Sequence, residues 1–145
     1  MIYAMQKRKL RFGFSMIELM IAVTIMGILA VVVIGPVMNY LRKASDTKTK
    51  DTVQVLRQSI SAYRAQIGEY PKVLEDLIRK PADVSANKWK EPFLGDEDNP
   101  ADEVPQDAWG ENFVYKLNPK GSKPAYQLYS WGPNGENSPE NEWVS

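Results

Sequence analysis

The sequence predicts an α+β protein in which one long N-terminal helix packs on a small antiparallel sheet that is followed by a C-terminal loop. Three observations indicate this fold. The chain is almost wholly apolar from Phe14 to Ile34, and the next segment repeats apolar residues at helical spacing up to Gly68. The last third holds two short alternating segments, separated by a turn rich in proline and glycine.

The composition narrows the possible functions. The 145-residue chain has room for one modest domain and one additional element. It contains no cysteine and no histidine, which excludes disulfides, thiolate metal sites, cysteine nucleophiles and the commonest general base. The sequence also lacks a catalytic triad, a phosphate-binding glycine loop and clustered metal-ligand spacing. We therefore expect a protein without catalytic activity.

The N-terminal segment combines a basic stretch with the apolar run. A run of about 20 apolar residues matches the hydrocarbon thickness of a bilayer, and basic flanks remain in the cytoplasm. We therefore expect residues 14–36 to form the membrane half of the helix and to cross a membrane once, with the N-terminus in the cytoplasm. Four cations precede Phe14 without any acidic residue: Lys7, Arg8, Lys9 and Arg11.

Two residues in this segment are unusual for a secretory signal. Gly13 lies before the apolar core, whereas a conventional signal places its small-residue cleavage site after that core. Glu18 is an ionisable side chain inside the apolar run, and an acidic residue at mid-bilayer costs roughly 2.5 to 3.5 kcal/mol. Glu18 is either a neutral or interface-reaching side chain without a role, or it pairs with a positive charge in an assembly. Cleavage between Gly13 and Phe14 would supply that charge as the new amino group of Phe14.

The string RFGFSMIELMIAVTIMGILAVVVIGP resembles the class III signal and membrane segment of type IV pilins and type II secretion pseudopilins. The resemblance implies that a prepilin peptidase removes residues 1–13 as a leader by cleaving after Gly13. It also implies methylation of the new N-terminal residue, Phe14, and a role in assembly for Glu18. Pro36 falls one place later than the corresponding proline of most relatives.

Beyond the membrane run, the apolar spacing is typical of a helix with one buried face. We predict one helix from about Ser15 to Gly68, whose residues 37–68 form an amphipathic periplasmic half, and Gly68 is its stop signal. Pro36 can bend this helix because proline lacks an amide hydrogen. Five apolar residues recur at spacings of three and four: Val53, Leu56, Ile60, Tyr63 and Ile67.

The remaining residues, 69–145, are predicted to form a small head domain. A short second helix around residues 73–78 ends before Pro81, and an irregular loop follows from Ala82 to Pro105. Two aromatic residues of this loop, Trp89 and Phe93, are expected to anchor it to the core. Its acidic residues are interpreted as solvated: Asp96, Glu97, Asp98, Asp102 and Glu103.

A β-hairpin is predicted after this loop. The first strand covers Asn112–Leu117 and the second covers Ala125–Trp131, with a turn over Asn118–Lys123 that contains proline and glycine. We expect the hairpin to cover the apolar face of the helix.

Four further strings, GEYP, LIRKP, VPQDAWGENFVY and YQLYSWGPNG, follow in the order seen in the major pseudopilins of type II secretion. The resemblance implies a pilin-like fold and a structural subunit that polymerises into a periplasmic pseudopilus, which drives protein secretion across the outer membrane. It implies a single-pass protein of the bacterial inner membrane with a periplasmic head. The implied partners are further copies of the chain, minor pseudopilins, the prepilin peptidase and the inner-membrane assembly platform.

Calcium is implied by the same resemblance, because in that family a calcium-holding loop after the last strand replaces the disulfide of many type IV pilins. Calcium prefers six to eight oxygen ligands. The corresponding segment, Ser130 to Trp143, has no aspartate. The alternative to a calcium site is a polar loop pinned by Trp131 and Trp143. The candidate ligands, of which the first would contribute its backbone carbonyl, are Trp131, Asn134, Glu136, Asn137, Glu140 and Asn141.

Nucleic acid is not an expected partner. Removal of the leader would leave fourteen basic and eighteen acidic side chains, a balance of −4 that disfavours nonspecific binding to DNA.

Two alternative functions remain open. One is a type IV pilin or competence pseudopilin, against which the missing cysteines and the SWGPNG ending argue. The other is a membrane-tethered binding module or enzyme that uses the helix only as an anchor, in which case replacement of Glu18 would matter little.

Overall fold

The computed structural model describes residues 13–90, 92–96 and 99–145. Of the predicted leader, only Gly13 lies within this range, and the loop acids Glu97 and Asp98 lie outside it. The chain divides into two compact units, one reaching to Tyr40 and the other formed by Leu41–Ser145.

Helix α1 spans Met16–Ile67, in agreement with the predicted helix. Between Met16 and Tyr40, nearly all side chains are exposed and most of them are apolar. Thr24 satisfies its hydroxyl within the helix by donating to the carbonyl of Met20 at 2.8 Å. Among the described residues, α1 is the one helix that is long and apolar enough to cross a membrane.

The C-terminal end of α1 is set by Gly68, as predicted. Gly68 has a φ of 97°, and its N–H donates to the carbonyl of Arg64 at 2.8 Å. This left-handed conformation is readily adopted by glycine, which lacks a Cβ, and it satisfies a carbonyl at the helix end.

The predicted apolar face of α1 forms the centre of the second unit. Val53, Leu56, Ile60 and Tyr63 are each at most 3% exposed, and Ile67 is partly buried against them. Because these side chains recur every three or four residues, one face of the helix is covered while the other remains in solvent. The residues that pack on this face are Leu74, Leu77, Leu94, Phe113 and Leu128.

The predicted hairpin is present with shorter strands. Strand β3 is Val114–Leu117 and strand β4 is Tyr126–Tyr129, and they pair antiparallel with Val114 opposite Tyr129. The ladder starts at Val114, three residues after Glu111, whose two backbone groups bond to Asp107. It ends early because Ser130 pairs with Val144.

A second, smaller ladder lies in the segment that was predicted to be irregular. Strand β1 is Gly95–Asp96 and strand β2 is Asn99–Pro100, and the two pair antiparallel. Two-residue strands are too short to produce an alternating pattern, which explains why the sequence did not reveal them.

The predicted second helix is a single 3₁₀ turn, Leu74–Leu77. The carboxylate of Asp76 accepts the backbone N–H groups of Lys72 and Val73 at 2.8 and 3.2 Å, which holds the chain in a tight turn at this point.

The anchoring role of Trp89 and Phe93 is confirmed. Both are partly buried against the core, and their ring centroids lie 6.1 and 5.2 Å from that of Tyr63 in edge-to-face arrangements. Aromatic pairs in this geometry contribute about 0.5–1.5 kcal/mol beyond the area they bury.

Tyr115 links the hairpin to the segment that follows α1. Its phenol donates to the carbonyl of Pro71 at 2.8 Å, and burial raises the pKa of the phenol well above its ordinary value. Because the folded protein resists deprotonation of Tyr115, this group stabilises the fold fully below the unfolded pKa of about 10. The stabilisation is lost as the pH rises further.

Replacement of Tyr115 by phenylalanine tests this coupling. The free energy of unfolding of the wild-type protein should decrease as the pH rises above about 10, and Tyr115→Phe should show a shallower decrease. The comparison uses the slope because the variant also loses a hydrogen bond worth about 1 kcal/mol at every pH. Urea unfolding at each pH, followed by tryptophan fluorescence, measures the free energy of unfolding, since all four tryptophans lie in the head. Identical slopes would refute the coupling.

Candidate functional site

The predicted cleavage junction lies just before α1. Gly13, Phe14 and Ser15 are not helical, and the side chain of Phe14 is 82% exposed. A peptidase must bind an extended backbone, and the Gly13–Phe14 peptide bond is free of helical hydrogen bonding at this position.

Glu18 lies in the first turn of α1 and its side chain is exposed. The N-terminal end of a helix carries unpaired N–H groups and a partial positive charge, so a carboxylate is favoured there. The first turn follows Phe14 closely, and this places the carboxylate near the position at which cleavage would create an amino group. No interaction of Glu18 with another side chain is seen among the residues described.

The C-terminal segment is closed into a loop by an isolated β-bridge. Ser130 and Val144 exchange backbone hydrogen bonds of 2.8 and 3.0 Å, and both residues are buried. Gly132 is also buried with a φ of 80°, and a Cβ at this position would lie 2.6 Å from the carbonyl oxygen of Glu142. Only glycine permits this approach of the two sides of the loop.

Three aromatic rings cover this loop. Tyr129 and Trp143 stack with centroids 4.5 Å apart and an interplanar angle of 7°. Trp131 meets both rings edge-on, at 5.2 and 4.9 Å. The indole N–H of Trp143 donates to the carbonyl of Ser138 at 3.0 Å. The two tryptophans therefore pin the loop, a feature that was predicted from the sequence as part of the alternative to calcium binding.

The candidate calcium ligands lie on this loop. Asn134, Glu136, Asn137, Glu140 and Asn141 are exposed, and Trp131 is half-buried. Two 3₁₀ turns, Gly135–Asn137 and Glu140–Glu142, shape the backbone between them. Within the parts of the chain that the structure describes, no three acidic side chains form a group suited to a metal ion.

Glu142 is a residue that the sequence did not identify. Its carboxylate accepts the side-chain amide N–H of Asn134 at 2.7 Å, and its carbonyl faces Gly132. In the same loop, the hydroxyl of Ser138 is buried, and no described residue forms a hydrogen bond with it. These groups are all oxygen donors of the kind that calcium prefers, although they offer few carboxylates. No feature of the sequence distinguishes Glu142 from the other glutamates of the segment.

Asp107 connects this loop to the rest of the head, and it too was missed. It is 6% exposed, and one carboxylate oxygen accepts the N–H groups of Trp109 and Glu111, both at 2.9 Å. The hydroxyl of Ser130 donates to the other oxygen. The signal was available in the string DAWG, since aspartate at the first and glycine at the fourth position are typical of a type I turn.

The same turn also reaches α1. The N–H of Ala108 donates to the hydroxyl of Thr49 at 3.1 Å, and Thr49 is fully buried. The hydroxyl of Ser130 accepts the N–H of Gly132 at 3.0 Å. The residues around Asp107 therefore join the helix, the turn, strand β4 and the C-terminal loop.

Comparison with known protein families gives two matches. Residues 36–144 match the family described as type II secretion system (T2SS), protein G. Residues 8–34 match the prokaryotic N-terminal methylation motif. The two matches are adjacent and together cover most of the chain.

Curated relatives cover nearly the whole length. The type II secretion system core protein G of Escherichia coli K12 is 31% identical over 135 residues, which cover 90% of this chain and 87% of that protein. The protein of the same name from Pseudomonas aeruginosa is 32% identical over 136 residues, covering 91% and 89%. That from Vibrio cholerae is 27% identical over 139 residues, covering 94% and 90%.

A solved structure shares the fold. The crystal structure of the major pseudopilin from the type 2 secretion system of enterohaemorrhagic Escherichia coli matches with a TM-score of 0.52 and 24% identity. The match covers 74% of this chain and 90% of that chain.

Replacement of Asp107 by alanine tests its role in the head. The change removes the acceptor of three hydrogen bonds, and we expect the free energy of unfolding to fall by about 3 kcal/mol. Asp102→Ala is the matched control, because Asp102 is exposed and its loss should change stability by no more than about 0.5 kcal/mol. Urea unfolding measures both. Equal stability of the two variants would contradict the role assigned to Asp107.

Proposed function

This chain belongs to the type II secretion system protein G family, and we propose the roles of its individual residues in pseudopilus assembly. It is a structural subunit of the pseudopilus that functions in protein secretion. The resemblance to the major pseudopilins is thereby confirmed, and so is the predicted pilin-like fold. The family consists of structural subunits, and we propose that the chain has no catalytic activity.

The exposed apolar part of α1 is the feature that best supports a role as a filament subunit. The helix presents large apolar side chains between Met16 and Tyr40, with most of them more than half exposed. Such a surface is stable in lipid or against similar helices, because each fully buried aliphatic side chain contributes about 1.5–3 kcal/mol. Anchoring in the membrane and packing against further copies in a filament use the same surface. A subunit can therefore pass from one environment to the other without refolding.

The N-terminal residues are proposed to control this transfer. A prepilin peptidase would cleave after Gly13, and the new amino group of Phe14 would become methylated and remain positively charged. Glu18 would pair with the amino group of a neighbouring subunit inside the apolar filament core. An unpaired carboxylate is costly in that environment, so the pair would favour one axial position of each incoming subunit.

The proposed topology follows from the charge of the N-terminus. Lys7, Arg8, Lys9 and Arg11 would remain in the cytoplasm, with the helix crossing the bacterial inner membrane once and the head in the periplasm. Minor pseudopilins, the prepilin peptidase and the inner-membrane assembly platform are the proposed partners, in addition to further copies of the chain. Nucleic acid is not among them.

We also propose that the C-terminal loop binds calcium. The fold holds the side-chain amide of Asn134 against the carboxylate of Glu142, with the amide nitrogen donating, and the amide oxygen and the carboxylate would be two of the ligands. The buried hydroxyl of Ser138, which has no hydrogen-bond partner among the described residues, is a further oxygen in the same loop. The remaining candidate donors would complete the set: the carbonyl of Trp131 and the side chains of Glu136, Asn137, Glu140 and Asn141. Calcium would neutralise the carboxylates of this loop and thereby stabilise its closed form.

The role of Glu18 is tested by Glu18→Ala in cells that carry the secretion system. We expect the variant to enter the membrane and to be processed, so that mass spectrometry finds a methylated Phe14 at its N-terminus. Filament yield and secretion should nevertheless fall by at least about tenfold, because an unpaired amino group in the core costs more than 1.4 kcal/mol.

Glu69→Ala is the control, because Glu69 is an exposed glutamate of the head. Normal filaments with Glu18→Ala would refute the pairing. A wild-type chain that keeps residues 1–13 in its mature form would refute the cleavage.

Calcium binding is tested by thermal unfolding with the ion in excess and with a chelator. At a free concentration a hundredfold above Kd, calcium should add about 2.7 kcal/mol to the stability and raise Tm accordingly. Asn134→Ala combined with Glu142→Ala should remove the difference, whereas Glu111→Ala should retain it because Glu111 lies outside the loop. A Tm that does not respond to the chelator would exclude the site.

A further inference from the structure

One flank of α1 carries a row of basic side chains at regular intervals. Seven residues complete two helical turns less about 20°, so residues at this spacing lie above one another, about 10.5 Å apart. The basic row consists of Lys43, Lys50, Arg57 and Arg64. All four side chains are exposed and lie beside the buried stripe rather than within it.

Among the described residues, one side chain of the row forms a hydrogen bond through its charged group. Arg64 donates to the phenol oxygen of Tyr70 at 2.7 Å, and its guanidinium lies 4.6 Å from the centre of that ring. Within the described residues, the one salt bridge is that between Lys72 and Asp83, so no member of the row forms an ion pair with another residue of that part of the chain. Lys43, Lys50 and Arg57 are exposed and form no salt bridge with another described residue, and Lys50 lines a shallow hollow together with Asp46 and Glu142.

In the unit formed by Leu41–Ser145, basic side chains predominate on the helix and acidic side chains predominate in the residues that follow it. Residues 41–67 contain six basic and two acidic side chains, whereas residues 68–145 contain eight basic and fifteen acidic ones. A chain that forms a homopolymer presents both of these surfaces to its neighbours. Opposite charges on two surfaces of one molecule favour head-to-tail contacts, in which different surfaces of the two copies meet.

A cleft in the head offers a matching surface. Its volume is about 380 Å³, and Glu75, Asp102 and Glu103 at its rim outnumber its single cation, Arg79. Its floor is apolar and is formed in part by Ile78, Val104 and Phe113. An apolar floor with acidic edges suits a long basic side chain, because the methylene groups can be buried while the charged end reaches a carboxylate.

We propose that the basic row of one subunit docks on the acidic cleft of a neighbouring subunit in the filament. This inference rests on the proposed assembly function and adds the contact that sets the neighbours in register. Lys50 and Arg57 form the centre of the contact, because Arg64 is already held by Tyr70. Each exposed ion pair contributes little alone, but the row repeats along every pair of neighbours in a polymer.

Engineered cysteines test the contact directly, because the native chain has none. Two full-length chains with tags of different size are expressed together, one carrying Arg57→Cys and the other Glu103→Cys. We expect a short bis-maleimide reagent to link the two chains as a heterodimer in assembled filaments, and to form none when Glu103→Cys is replaced by Lys120→Cys. A direct disulfide would need the two Cα atoms about 4.4–6.8 Å apart, closer than two long paired side chains hold them. If both single-cysteine chains assemble and the heterodimer does not form, the proposal is wrong.

Charge reversal provides a second, independent measurement. Lys50→Glu combined with Arg57→Glu should lower filament yield by about tenfold, since attraction becomes repulsion at two positions. Adding Asp102→Arg and Glu103→Arg in the same chain should restore most of the yield. Lys120→Glu is the control, because it reverses an exposed cation outside the row.

The outcomes separate this contact from the function itself. Failure of the wild-type chain to form filaments would refute the assembly function. If the wild type and the variant with Lys50→Glu and Arg57→Glu form filaments equally well, the contact is refuted but the assembly function is not. A loss that the cleft reversal does not restore would place the basic row on another surface, such as anionic lipid headgroups, and would also overturn the proposal.

Discussion

The head of this protein depends on the burial of one helical stripe. Val53, Leu56, Ile60 and Tyr63 supply the centre of the core, while β3 and β4 have only four residues each. A two-stranded hairpin of this size is marginally stable at best in water. The same helix that provides the membrane segment must therefore also provide the surface on which the head folds. Anchoring and folding are tied to a single element.

The C-terminal loop is held by non-covalent contacts in a chain that has no cysteine. The β-bridge between Ser130 and Val144 closes it, and the stacked rings of Tyr129 and Trp143 cover it. Asp107 adds a buried carboxylate whose hydrogen bonds are satisfied by backbone and hydroxyl groups. Buried polar groups of this kind specify one arrangement, because every other arrangement would leave a charge without partners. A cation at the surface of the loop would add to a framework that already exists.

The residues proposed for the N-terminal site are local, so the sequence alone could single them out as candidates. Gly13, Phe14 and Glu18 lie within six consecutive residues, and their spacing along the chain is enough to relate them. The turn at Asp107 has a local signal, but the link from Asp107 to Ser130, 23 residues away, has none, and neither has the contact of Glu142 with Asn134, eight residues away. The ligand set proposed from the sequence therefore omitted the glutamate that contacts Asn134.

The sequence by itself determined the long helix, its buried stripe, its stop at Gly68 and the presence of a hairpin. Each of these follows from periodicity or from the conformational preference of one residue, which are properties of a short stretch of chain. Only the tertiary structure decided the lengths of the strands, the pairing of Ser130 with Val144 and the burial of Asp107. These depend on which distant backbone groups compete for the same hydrogen bonds, and that competition is settled when the chain has closed around the helix.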